Sequence, residues 1–270
     1  MRSLHKRDSF SWADMIEAAE DCVAQYPHPT EKGQNELIGW DALNYYLRLL
    51  LADDTADFPQ KYERHFYSKK PEMEQTTMGK MIVLCEESQA ITIAFRKKGV
   101  EAYSCDVKKA SGGRPEWHIR DDARNIDFKD FSLVIAHPPC TYLRSVTANL
   151  LFDKCGNIKD EEREKQGRKA REFFMFCYEL DVPHICIENP TPLSYFGLPY
   201  YMQTVQSFQF GDPFKKRTCL WLKGLPLLHK TQYVEPICSW VERTSSSTIR
   251  ARTFPGIAQA MADQWSQFVI

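Results

Sequence analysis

Apolar positions along the chain follow two rhythms, and the change between them falls near residue 78. Before it, Trp12, Met15, Ile16, Ala19 and Val23 recur at the three- and four-residue spacing of one helix face. A second helical stretch runs from Trp40 to Leu51 and is closed by Asp53-Asp54-Thr55. Residues 67–80 are mostly polar, contain Lys69-Lys70-Pro71, and predict a linker. The pattern therefore predicts a helical appendage with its linker over residues 1–77 and a separate domain over residues 78–270.

Beyond the boundary, short continuous apolar runs alternate with amphipathic stretches. Met81–Cys85, Glu101–Asp106, Trp117–Asp122, Phe131–Ala136 and Val182–Ile187 predict strands, and the unbroken apolar character of the first and fourth fits strands buried on both faces. Gln89–Lys98, Lys159–Leu180 and Ile257–Phe268 predict helices, the first stopped by Gly99. Strand and helix in this alternation define an α/β fold with a doubly wound, mostly parallel sheet. Gln203–Phe210 and Thr218–Leu222 predict a hairpin around the basic stretch Lys215-Lys216-Arg217. Thr141–Asn157 has loop or short-helix character and is long enough to cover what precedes it.

Ligands of open parallel sheets bind outside the carboxyl ends of the strands, so the chemistry sought lies in the residues that follow each run. Those are Cys85-Glu86, Asp106, Asp122, His137-Pro138-Pro139-Cys140 and Glu188-Asn189-Pro190. A strand ending in an acid, such as Asp106, commonly accepts hydrogen bonds from ribose hydroxyls in these folds. Cys140 stands apart from the other thiols because two prolines bar both ladder and helix before it.

Composition changes this picture little. A net charge of -1 supplies no overall attraction to nucleic acid, so affinity for it has to come from local basic patches. Nine cysteines with no Cys-x-x-Cys pair and no secretory leader argue against a disulfide framework or a zinc site, and point to a reducing cytoplasm. No apolar run is long enough to cross a bilayer.

With Pro-Cys at one strand tip and Glu-Asn at the next, the sequence resembles the cytosine-C5 DNA methyltransferase family. The likeness covers roughly residues 80–270 and is nearest to compact, divergent members found in phages and prophages. It implies the class I S-adenosylmethionine-dependent methyltransferase fold. It further implies Cys140 as nucleophile toward C6 of cytosine and Glu188 as the carboxylate that meets N3 and the exocyclic amine. Gln209–Pro213 through Lys216-Arg217 is similar to the family's Gly-x-Pro-Gln-x-Arg segment, which makes Arg217 a catalytic candidate. Arg252–Ala258 is similar to its C-terminal cofactor-side motif. S-adenosylmethionine would then lie against Cys85, Glu86, Asp106, Asp122 and Pro138, with Asp106 on the ribose and Asp122 on the adenine.

A thiolate is needed for attack, and Arg217, Arg144 and His137 are the groups expected to lower the Cys140 pKa. In a duplex the target base has to be flipped out. Two departures stand out: the first loop, Cys85–Ala90, has no glycine, and only about thirty residues separate Leu222 from Arg252, where the family carries a target-recognition domain. Two other readings stay open. One is an inactive relative that binds nucleic acid or nucleotide. The other is an amino-methyltransferase, whose Asp/Asn-Pro-Pro-Tyr motif His137–Cys140 matches only in its prolines.

Overall fold

The computed structural model describes residues 79–244 and 246–269. The appendage expected over residues 1–77 lies outside them.

The described chain opens with β1 (Lys80–Leu84), α1 (Ala90–Lys97), β2 (Glu101–Cys105), the two-residue β3 (His118–Ile119) and β4 (Phe131–Ala136). It continues through α2 (Glu161–Tyr178), β5 (His184–Asn189), β6 (Gln203–Gln206), β7 (Phe214–Lys215), β8 (Arg217–Lys223), β9 (Cys238–Ser239) and α3 (Pro255–Trp265). Seven strands form one sheet in the order β3-β2-β1-β4-β5-β8-β6, and β7 pairs with β9 apart from it. β1 to β5 are mutually parallel, whereas β8 runs antiparallel to both β5 and β6. This is an α/β, Rossmann-like sheet, mostly parallel.

Alternation along each strand sorts its side chains into two cores. Met81, Val83, Leu133, Ile135 and Cys186 pack with residues of α1 and α3. Ile82, Leu84, Val134, Ala136, Ile185 and Ile187 pack with Phe174 and Cys177 of α2. Because both faces are covered, β1 and β4 read as continuous apolar runs, and Met81–Leu84 and Leu133–Ala136 are fully buried. Gly99 ends α1 at φ 82, a conformation that costs glycine nothing. The strand order reverses between β1 and β4, so the crevice of this sheet opens at their carboxyl ends.

Several expected boundaries shift for tertiary reasons. The strand expected over Trp117–Asp122 shrinks to His118–Ile119, which among the described residues pairs with the end of β2 alone. The fifth strand starts at His184 and continues through Asn189, because β8 supplies partners past the end of the parallel ladder: Glu188 pairs with Leu220 and Asn189 with Cys219. The expected hairpin is the β6–β8 pair. Its connection is no tight tip, since β7 leaves it to join β9. The stretch expected to form a loop or short helix after Cys140 carries a short helix at Ala148–Leu151 and buries Leu143 and Leu151, so it is anchored rather than free.

Candidate active site

The carboxyl ends of β4 and β5 are held together by backbone bonds beyond the ladder. His137 N–H donates to the Leu84 carbonyl at 3.0 Å, which extends β4 by one residue along β1. Pro138 is buried, and the chain then turns so that the Cys140 carbonyl accepts from Leu143 N at 3.0 Å and Arg144 N at 3.2 Å. Ser145 N donates to Thr191 O at 2.9 Å and Leu193 N to Leu143 O at 2.6 Å. These bonds make one unit of the loop that carries Cys140 and the loop that follows Glu188.

Glu188 is the electrostatic centre of this unit, its side chain 11% exposed. Burial pushes its carboxyl up, but a hydrogen bond from His137, the Lys216 ammonium and the Thr218 hydroxyl outweigh burial and bring the carboxyl down to about 2. Oε2 lies 2.9 Å from His137 Nδ1. An ionised carboxylate only accepts, so Nδ1 carries the proton of this bond.

The thiol differs from expectation. Burial, and then the negative charge of Glu188, push the Cys140 pKa above its ordinary value, while Arg144 and Lys216 pull against them without prevailing. The resting thiol is therefore not activated by its surroundings, which corrects the expected depression.

Of the three groups expected to lower it, Arg144 does act on it, as does Lys216, which was not expected to. Arg217 points elsewhere. In β8, Thr218 faces Glu188, so by alternation Arg217 lies on the opposite sheet face, where its Nη2 donates to Tyr201 Oη at 3.4 Å. Lys216 is aimed by the C-terminal motif: its Nζ donates to Arg252 O at 3.1 Å and sits over the Phe254 ring at 5.7 Å. Gly256 N–H donates to Asp212 Oδ2 at 2.9 Å, and a Cβ at Gly256 would collide with the Phe210 carbonyl. The segments around Phe210–Lys216 and Arg252–Gly256 thus meet here.

Among the described residues, three buried polar atoms of this unit have no hydrogen-bond partner: His137 Nε2, Arg144 Nε and Asn189 Nδ2. Buried polar atoms are nearly always paired, so His137 Nε2 and Arg144 Nε mark places a polar ligand would complete, whereas Asn189, next to Glu188 in β5, faces the other side of the sheet. Sequence reasoning missed Lys216 as a site residue. Its signal was one-residue strand parity.

At the crevice side, Cys85 (φ 59) and Gln89 (φ 58) both take left-handed backbone that glycine would adopt without strain. Burial raises the Cys85 thiol well above its usual range. Side chains do the work glycines usually leave to a ligand. Glu86, 3% exposed, turns inward and accepts from Ile91 N at 2.6 Å, Thr92 N at 3.3 Å and Thr92 Oγ1 at 2.7 Å. Burial raises its carboxyl, and the nearby His137 opposes that rise. The Gln89 amide accepts from Arg114 N at 3.1 Å and donates to Arg114 O at 2.7 Å, which draws the loop after β2 over the loop after β1. Glu86, expected against the cofactor, instead caps α1.

Asp106 follows β2 as expected, half-buried, with Oδ1 accepting from Lys108 N at 2.9 Å. Asp122 caps the turn at Ala123–Asn125, and both its oxygens are held by Arg124, at 2.9 and 2.6 Å. That pairing lowers its carboxyl to about 2.

Fold and strand-tip residues together describe a doubly wound α/β sheet with His137 and Cys140 after β4 and Glu188 at the end of the neighbouring β5. No family model matches the chain, and no curated protein does. Among solved structures it is similar to the Entamoeba histolytica methyltransferase EhMeth, with 15% identity and a TM-score of 0.38. That match covers 59% of this chain and 58% of the Entamoeba protein, a likeness too distant to inform the site. Among the described residues no helix is long and apolar enough to cross a membrane.

Proposed function

We propose that the chain transfers a methyl group from S-adenosylmethionine to C5 of cytosine in DNA through a covalent Cys140 adduct. The observation that carries this reading is the joining of the Cys140 and Glu188 tips, with an ionised Glu188 between His137 and Lys216 and the buried His137 Nε2 left without a partner among the described residues.

Cytosine C5 is a poor nucleophile until something adds at C6. Cys140 gives up its Sγ–H proton to water as Sγ bonds to C6, and the electrons of the C5–C6 double bond move toward C5 and the ring. S-adenosylmethionine, when bound, would supply the methyl group that C5 accepts and depart as the neutral thioether. Water then takes the C5 proton, the C5–H electron pair restores the C5–C6 double bond, and the C6–S bond breaks with its electron pair on sulfur to free the cysteine. Glu188 accepts a hydrogen bond from the exocyclic amine, which orients the ring over the thiol. The same contact offsets the carboxylate charge that helps hold Cys140 protonated, so Arg144 and Lys216 act on the thiol with less opposition. The base thus activates its own nucleophile.

The donor set fits S-adenosylmethionine at one end. Asp106 at the tip of β2 suits two ribose hydroxyls, whereas the Ile91 and Thr92 amides at the start of α1 are taken by Glu86 and are not open to an amino-acid carboxylate.

That same filled helix start, with the unactivated thiol, favours a second reading: a relative that holds DNA or nucleotide in the cleft without catalysis. An oligonucleotide carrying 5-fluorocytosine separates the two. With S-adenosylmethionine present, the wild-type chain should form a denaturant-stable adduct and Cys140→Ala none, while Cys85→Ala and Cys186→Ala still form it. Saturable calorimetric binding of S-adenosylmethionine with no adduct would overturn C5 chemistry, and absence of both would favour the binding protein.

A further inference from the structure

Resting on that reading, we infer that His137 is a positioning residue that fixes Glu188 through Nδ1, so that Glu188 meets the substrate with one defined oxygen. His137 is the first residue past β4, and its backbone bond to Leu84 sets where its side chain starts. Both members of the pair are 11% exposed, so the 2.9 Å bond is sheltered from water. Nδ1 occupies Oε2, and the Thr218 hydroxyl from β8 also donates to this carboxylate. What remains of its acceptor capacity is left for a substrate near Cys140, whose thiol feels the Glu188 charge.

Every charged group around the pair fits this arrangement. Lys216, entering β8, adds positive charge on the Glu188 side. Glu86, from the loop after β1, also bears electrostatically on His137, its own oxygens already taken by α1. Its Nε2 is buried and has no partner among the described residues, so nothing but Nδ1 anchors the ring by hydrogen bonding.

Two amide replacements divide the ring into its halves. His137→Asn keeps an N–H near the position of Nδ1, and His137→Gln places one nearer Nε2. The measurements are kcat and KM for cytosine DNA, together with carboxyl titration of Glu188 by carbon NMR in labelled protein. His137→Ala should raise the Glu188 pKa by at least one pH unit and lower kcat about thirtyfold, with the KM for S-adenosylmethionine unchanged. His137→Asn should bring both back to within about fivefold and half a pH unit of wild type, and His137→Gln should not. Rescue by Gln rather than Asn, or a Glu188 titration unmoved in His137→Ala, would overturn the inference. The titration decides this even if the chain proves to have no methyl-transfer activity, in which case only the proposed function fails.

Discussion

Glu188→Gln removes the charge at the centre of the site while keeping the length of the side chain, and its cost follows from a proton equilibrium. The carboxyl titrates at about 2 in the folded chain against an ordinary 4.5. At about 1.4 kcal/mol per pH unit this depression corresponds to roughly 3 kcal/mol. Folding lowers the pKa, so the folded chain binds fewer protons than the unfolded one between those values. The stabilisation is therefore fully present above the unfolded value and is lost as pH falls through the folded one. Glutamine resembles the protonated carboxyl, so the variant should be less stable than wild type by roughly 3 kcal/mol at pH 7. For a domain of this size that is a fall in Tm of roughly 6–12 °C. Urea unfolding followed by the fluorescence of the buried Trp221 and Trp265 reads it directly. The gap should narrow steadily between pH 5 and pH 3. A gap under about 0.5 kcal/mol at pH 7, or one of equal size at every pH, would refute the claim that Glu188 is held ionised by its neighbours.

Lys216→Ala should slow alkylation of Cys140 by iodoacetamide at a given pH, because Lys216 pulls the thiol pKa down, whereas Arg217→Ala, on the other sheet face, should leave that rate unchanged. Asp106→Ala should weaken S-adenosylmethionine about tenfold or more, in line with roughly 1.5–3 kcal/mol for a charge-assisted hydrogen bond, as read by calorimetry. Asp122→Ala should instead lower thermal stability by on the order of 1 kcal/mol through loss of a cap, since both its oxygens are engaged by Arg124. Gly256→Ala should destabilise by about 1–3 kcal/mol, measured by urea unfolding, because its Cβ has no room beside the Phe210 carbonyl.

What the sequence disclosed and what it hid divide along a physical line. The run Phe131–Ala136 was legible because burial on both faces abolishes periodicity, and the corner His137–Cys140 because two prolines can end a ladder but not extend one. Glu188 and Asn189 looked like loop residues because local composition cannot show that an antiparallel partner arrives about thirty positions later. The exchange of Lys216 for Arg217 is a question of one residue of strand register, which decides a face and leaves almost no trace in composition. An acid in a glycine-poor first loop was visible as Glu86. Its inward turn was not, because the amides that attract it belong to a helix start that exists only once the fold has formed.

The reversed direction of β8 has a consequence for how this scaffold tolerates new chain. A parallel strand delivers the residues that leave it to the crevice, but β8 delivers those that enter it, which is why Thr218 and Lys216 arrive beside Glu188. Material grafted between Gly211 and Lys216 would therefore project over the strand tips without disturbing any ladder bond of the large sheet. The same length grafted after Lys223 would emerge at the opposite rim, beside the start of β5, where Lys223 pairs with Ile185. For this fold the segment that enters β8 is the port through which an added recognition element could be fitted over the crevice.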